Sequence, residues 1–286
     1  MTNATGLLRS LGIMLVALLI STPVNAALIT GFTIEATGTV APGPSYLRSF
    51  DASGAIISGP IDLGIGVYGL TVGPSDSLYA FKNSGPDMGL LRIDASTGQT
   101  TALGSSIFLQ SIDYNPANNT LYGIGGAAGA DKQLYSFDLT SGNANRIATL
   151  TGLTNAFDVQ RLAIRSDGVA YLASLSSTEV SFGTLSLTTA EFQRLGTTSN
   201  VGEFGDLAFD SADDLFQLSG GKLFRVDQST FAKTNVSSVA GGAGLAFAAT
   251  SVPEPSLAGL LGTATAWIFC VGRFRKNAWG RESDKP

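Results

Sequence analysis

Histidine is missing from this chain of 286 residues, and cysteine occurs once. Without an imidazole there is no Ser-His-Asp or Cys-His nucleophile pair and no histidine-bound zinc. A single cysteine forms neither an internal disulfide nor a Cys-x-x-Cys redox or zinc motif. Charge is scarce too: 14% of residues are charged, against about 25% in ordinary soluble domains. Both tryptophans, Trp267 and Trp279, fall close to the C-terminus. Glycine is plentiful, at 35 residues, and the hydrophobic fraction of 44% is too high for a disordered chain. Few charges and much glycine fit turn-rich β structure better than helical bundles.

The two ends read as addresses. Arg9 precedes an unbroken apolar run, Leu11 to Ile20, followed by a segment ending in Val24-Asn25-Ala26. That is the layout of a secretory signal helix, with cleavage expected between Ala26 and Ala27 by signal peptidase after passage through the Sec translocon. Ten apolar residues are too few for a bilayer core of about 30 Å. At the other end, Ser256 to Gly272 is a run of 17 uncharged residues, at the short limit for a transmembrane helix. Arg273, Arg275 and Lys276 follow at once and would hold the C-terminus in the cytoplasm. Just before the apolar run stands Pro253-Glu254-Pro255, whose prolines resist helix and sheet pairing and keep the backbone open to an enzyme. The lone cysteine, Cys270, lies in the apolar run and reads as a small helix residue rather than a reactive thiol.

This tail resembles the PEP-CTERM sorting signal of exopolysaccharide-producing Gram-negative bacteria. The resemblance covers about 30 residues and implies recognition by an exosortase in the inner membrane, removal of the tail near the motif, and release to the surface or matrix. Here the chain continues from Asn277 to Pro286 past the basic cluster, where such tails usually stop. A plain single-span anchor is the alternative. The expected domains are a signal peptide over 1–26, a folded body over 27–252 and the sorting tail over 253–286.

The body repeats. An apolar strand ending in Asp and a polar turn recurs in YLRSFDASG, LLRIDASTG, LYSFDLTSG, FGTLSLTTA and LFRVDQSTF. The key positions Asp51, Asp94, Asp138, Ser186 and Asp227 are 43, 44, 48 and 41 residues apart. Ahead of the last four lies an alternating strand, a turn rich in Gly, Pro, Asp and Asn, and a second short strand. Four short strands per repeat of this length is the period of a β-propeller blade, and a parallel solenoid normally has shorter coils. The fold expected is an all-β five-bladed propeller. Its last blade is completed by joining GLAFAAT near the C-terminus to strands from the N-terminus, which removes open sheet edges. The body also resembles secreted bacterial propeller-like repeats, which implies fold and not activity.

The repeated Asp residues read as turn caps, with the replacement Ser186 in keeping; a calcium ligand in each blade would need several more oxygens. Asp210, Asp213 and Asp214 form the densest acidic cluster, read as a solvated turn, with calcium as the alternative. No catalytic, cofactor or metal residue is assigned. A candidate ligand rim lies where the inner strands begin: Gln110, Asp158, Gln160, Arg161, Glu203 and Asp206. A glycoside hydrolase would need a carboxylate pair from Asp158, Glu203 and Asp206; the plain alternative is a set of solvated loop residues with an Arg161–Asp206 ion pair. Against sugar chemistry, the mouth offers only Tyr68 as an aromatic platform. The body carries 11 basic and 19 acidic residues, net −8, which argues against nucleic acid. The expected function is a non-enzymatic exported surface or extracellular-matrix protein, held transiently in the inner membrane, with exosortase and exopolysaccharide as partners and no cofactor. The alternative is a secreted carbohydrate-binding or carbohydrate-active propeller.

Overall fold

Short strands, buried on both faces near the centre and exposed at the rim, make up almost all of the regular structure among the described residues. The computed structural model describes residues 31–248, apart from 37–42, 52, 84, 86–87, 105, 127–130, 154–158, 176–178, 200–204 and 240. The chain divides into two compact units, Met1–Ala249 and Thr250–Pro286, and the described residues belong to the first. The expected signal helix, the Pro253-Glu254-Pro255 motif, the membrane helix and the basic cluster lie outside the described residues. Among those described, no helix is long and apolar enough to cross a membrane.

Blade 1 contains β1 (Gly31–Ala36), β2 (Ser45–Phe50) and β3 (Ile56–Asp62). Blade 2 consists of β4 (Tyr68–Val72), β5 (Leu78–Lys82), β6 (Gly89–Ile93) and β7 (Thr100–Leu103). Blade 3 runs through β8 (Leu109–Asn115), β9 (Thr120–Gly125), β10 (Gln133–Phe137) and β11 (Ala144–Thr149). Blade 4 holds β12 (Val159–Ile164), β13 (Ala170–Leu175), β14 (Glu179–Leu185) and β15 (Phe192–Ser199). Blade 5 is β16 (Asp206–Phe209), β17 (Leu215–Ser219), β18 (Lys222–Val226) and β19 (Lys233–Ser238). The last strand, β20 (Gly244–Phe247), pairs antiparallel with β1 in the register Gly31↔Phe247 to Ile34↔Gly244. The result is five four-stranded sheets, one of them completed by the end of the body. The expected five-bladed propeller and its joined blade are therefore observed.

The core consists of five layers, one in each gap between neighbouring blades. Ile34, Leu47, Leu70 and Leu91 fill the gap between blades 1 and 2. Phe81, Leu90, Leu109 and Leu121 fill the next, and Ile124, Leu134, Leu162 and Leu172 the one after. Phe182, Leu207, Leu215 and Phe231 pack between blades 4 and 5, and Phe50, Leu218 and Leu245 between blades 5 and 1. Because each blade meets a neighbour on both faces, inner strands such as β13 are buried at nearly every position, whereas the outermost β3 and β19 are mostly exposed.

The repeated Asp caps its turn. Asp94 Oδ1 accepts from the amides of Ser96 and Thr97 and from the Ser96 hydroxyl, and Asp51, Asp138 and Asp227 make the same kind of bond. Ser186 does so through its hydroxyl, to the Thr189 amide. The serine hydroxyl on Asp94 and the amide bonds with it hold its carboxyl below the usual range. Four residues after the cap the backbone is left-handed: Gly98 and Gly142 adopt it freely, at φ +75° and +72°, while Ala190 and Phe231 are held there at +56° and +58°. Phe231 offsets that strain by stacking on Phe182, with centroids 4.9 Å apart and planes 6° from parallel.

Phe182→Ala removes this stack and leaves a cavity between blades 4 and 5, so it should cost about 3–5 kcal/mol. In urea the midpoint should fall with the slope unchanged. Leu195→Ala on β15, where the side chain is 52% exposed, should stay within about 0.5 kcal/mol of the parent.

Candidate functional site: the inner strand ring

The innermost strands β4, β8, β12, β16 and β20 each have a β partner on one edge only. Amides on the other edge need acceptors if they are not to be left unpaired. The structure supplies them from side chains of the preceding blade, in a repeated relation. Thr71 Oγ1 in blade 2 accepts from the Tyr114 amide in blade 3 at 3.2 Å. Ser111 Oγ and Asp113 Oδ2 in blade 3 accept from the Leu162 and Ile164 amides in blade 4 at 2.9 and 2.6 Å. Asp206 Oδ2 in blade 5 accepts from the Leu245 amide in blade 1 at 3.0 Å.

The two remaining junctions are closed differently. Arg161 on β12 donates from Nε to the Gly205 carbonyl at 2.6 Å, joining blade 4 to blade 5. Its Nη1 reaches the carbonyls of Gln110 and Gln160 at 3.1 and 2.9 Å, tying blade 3 into the same contact. Between blades 1 and 2 the bond is backbone to backbone, from the Gly69 amide to the Ala243 carbonyl at 2.6 Å. Gly244 permits this approach: a Cβ there would lie 2.9 Å from Leu70 Cβ and 3.0 Å from the Gly69 backbone.

These bonds use up the groups that chemistry would need. Asp113 Oδ1 takes the Thr71 hydroxyl at 2.6 Å and the Tyr114 amide at 2.9 Å, beside the bond from Ile164 to its other oxygen. Asp206 Oδ1 takes the Leu207 amide at 3.0 Å. Burial pushes both carboxyls up to about 7, against the bonds they accept. The two also repel each other, and the nearby Arg161 guanidinium partly offsets the rise at Asp206. Burial in turn lowers the Arg161 pKa, which Asp206 opposes.

The sequence-predicted rim is therefore only partly assembled. Arg161 and Asp206 do sit together on the inner ring, as do Gln110 and Gln160. They are not solvated loop residues: Gln160 and Asp206 are 0% and 3% exposed, because the inner strands are covered by blades on both sides. No ion pair joins Arg161 to Asp206 among the described residues, since the guanidinium is taken by carbonyls and the carboxylate by amides. Gln110 Oε1 and both amide atoms of Gln160 are buried without a hydrogen-bond partner, so the Gln160 side chain does not present its amide to solvent. Asp158 and Glu203 lie outside the described residues.

Asp113, Thr71 and Ser111 were missed as ring residues. A signal existed: in the aligned first strands GLTV, SIDY, RLAI, DLAF and GLAF, the third position is Thr or Asp in two copies and Ala in three. The acidic turn of blade 5 is also accounted for. Asp210 caps the Ala212 and Asp214 amides, Asp213 accepts from Ser166, and Asp214 pairs with Arg225. No group of three His, Cys, Asp or Glu residues suited to a metal occurs among the described residues.

No protein-family model and no curated protein matches this chain. Solved structures of other propeller-like chains are similar at low identity. TolB from Acinetobacter baumannii is 16% identical with a TM-score of 0.45; the match covers 73% of this chain and 52% of that one, so this chain spans about half of TolB. A gluconolactonase from Xanthomonas campestris is 14% identical with a TM-score of 0.45, covering 76% and 78%. The Malassezia sympodialis allergen Mala s 1 is 15% identical with a TM-score of 0.43, covering 62% of each chain. Such likeness assigns no activity.

Asp113 and Asp206 keep their protons in the folded protein up to about pH 7, whereas an unfolded Asp loses its proton near 3.8. The folded state thus binds more protons across that window, and stability should fall as pH rises from about 4 to about 7. The turn caps such as Asp94 act in the opposite sense and only below about pH 4, as their carboxylates become protonated. Thermal melts should therefore peak in mildly acidic buffer. Asp113→Asn with Asp206→Asn keeps one acceptor oxygen at each site and turns an NH2 toward a backbone amide, so the double variant should be less stable at every pH yet lose the decline between about pH 4 and about 7.

Proposed function

We propose that this protein is a non-enzymatic exported propeller that becomes a surface or extracellular-matrix component of an exopolysaccharide-producing bacterium. It is exported through the Sec translocon, cut by signal peptidase between Ala26 and Ala27, held transiently in the inner membrane by Ser256 to Gly272, and released by an exosortase near Pro253-Glu254-Pro255. The observation that carries this reading is the ordered tail: a proline-flanked glutamate, 17 uncharged residues, then Arg273, Arg275 and Lys276.

The inner ring supports the non-enzymatic part. A glycosidase needs one carboxyl group free to give a proton and a second free to attack or activate water. Asp113 and Asp206 accept backbone amides through both oxygens, and Arg161 is bound to three carbonyls. Their geometry suits holding blades together. A sugar-cleaving site at the channel mouth, built on Asp158, Glu203 and Asp206, has less in its favour because Asp206 is buried and committed.

Mass spectrometry of the protein released from its producing cells should find a C-terminus at or near Pro253–Pro255, and deletion of the exosortase should leave the tail in place. A released protein that still carries Arg273 would refute the processing.

A further inference from the structure

Away from the inner ring, the described residues also form an accessible polar groove. It opens in blade 2 between the turn linking β4 to β5 and the turn linking β6 to β7, with a volume of about 350 Å³. Ser75, Asp76, Ser77, Arg92, Asp94 and Gln99 line it. That volume lies at the lower end of the range of about 300–1,000 Å³ for small-ligand sites.

An internal comparison shows what is unusual about these residues. Blade 5 aligns with blade 2 within each of these turns, with four fewer residues between them, placing Asp213, Asp214 and Arg225 where blade 2 has Asp76, Ser77 and Arg92. In blade 5 each of these groups is satisfied inside the protein. Asp213 accepts the Ser166 amide and hydroxyl at 3.0 and 2.7 Å, Asp214 pairs with Arg225, and Gln228 donates to the Asp213 carbonyl at 2.8 Å. In blade 2 the aspartate that would hold the arginine is a serine. Among the described residues the exposed Arg92 side chain makes no ion pair or hydrogen bond, and neither does the Asp76 carboxylate. Asp94 uses Oδ1 on its own turn, and no bond to its Oδ2 is made there. The same scaffold that is internally neutralised in blade 5 is left with open donors and acceptors in blade 2.

No aromatic platform lines the groove, so its chemistry selects a ligand by hydrogen bonds alone. A guanidinium with several donors faces two carboxylates, two serine hydroxyls and a carboxamide, and this alternation of donors and acceptors matches adjacent hydroxyls, each of which both donates and accepts. Arg92 against Asp76 and Asp94 leaves the groove one negative charge in excess, within a body of net −8. An anionic ligand would be repelled. We propose that this groove binds a neutral, hydroxyl-rich sugar unit of an extracellular polysaccharide, with Arg92 donating to and Asp76 accepting from vicinal hydroxyls. The choice of a polysaccharide rests on the surface or matrix role proposed above; the groove itself does not involve the tail.

The test is calorimetric titration of the full chain with neutral gluco-, galacto- and manno-hexaoses and with a galacturonate hexamer of equal length. At least one neutral hexaose should bind saturably. Arg92→Ala and Asp76→Asn should each weaken it about tenfold, the loss of one charge-assisted hydrogen bond. Asn tolerates the left-handed backbone that Asp76 adopts at φ +56°, and unchanged thermal melts would show that both variants fold. Arg225→Ala, at the equivalent place in blade 5, should bind like the parent. The proposal is overturned if no neutral hexaose binds, if the uronate binds as tightly, or if Arg92→Ala binds unchanged. None of these outcomes depends on where the C-terminus is cut, so the binding and the sorting stand or fall separately.

Discussion

Everything in this propeller depends on how the open inner edge of each sheet is satisfied. Five strands line the centre, and each exposes amides that no strand of its own sheet can meet. Side chains meet amides at three of the junctions, and a backbone carbonyl does so between blades 1 and 2. Thr71, Ser111, Asp113 and Asp206 each reach forward to an amide of the next blade, and Arg161 gathers carbonyls from three blades. These bonds run across the gaps that the apolar layers fill, so polar and apolar contacts fix the same blade spacing.

Using carboxylates for this purpose has a cost. A neutral acceptor such as the Ser111 hydroxyl can be buried without titrating, whereas burial raises the carboxyls of Asp113 and Asp206, and Asp206 adds to the rise at Asp113. Arg161 relieves part of this at Asp206, and its three carbonyl partners keep it in place without an ion pair. Asp113, Asp206 and Arg161 are thus turned to bonds between blades, an arrangement that keeps the repeats in register.

Repetition with local change accounts for the remaining chemistry. The Asp cap, the left-handed residue after it and the strand spacing recur around the ring, but the residues between them have diverged. Blade 5 closes its turns with an Asp214–Arg225 pair and an Asp213–Ser166 contact to blade 4. Blade 2 keeps the arginine and loses the partner aspartate, which leaves its groove open. Ser77 in place of the paired aspartate leaves Arg92 open, and Asp76 lacks the contact from the preceding blade that Ser166 gives Asp213.

Local pattern was enough to read the repeat, the four strands of each blade and the capping role of Asp51, Asp94, Asp138 and Asp227, because turn bonds and strand alternation involve residues within a few positions of one another. The out-of-phase ends likewise announced that β20 would join β1, since a first strand without successors and later strands without a first strand complete one sheet. The ring could not be read this way. Which face of β8 or β12 meets the next blade, and therefore whether Asp113, Gln160 or Asp206 is at a solvated mouth or buried in a junction, depends on contacts between residues about 40 to 50 positions apart. The sequence by itself determined the blade and its number; only the packing of blade against blade decided which polar side chains became part of the frame and which, like Arg92, were left exposed, because burial is a property of the neighbouring blade and not of the strand.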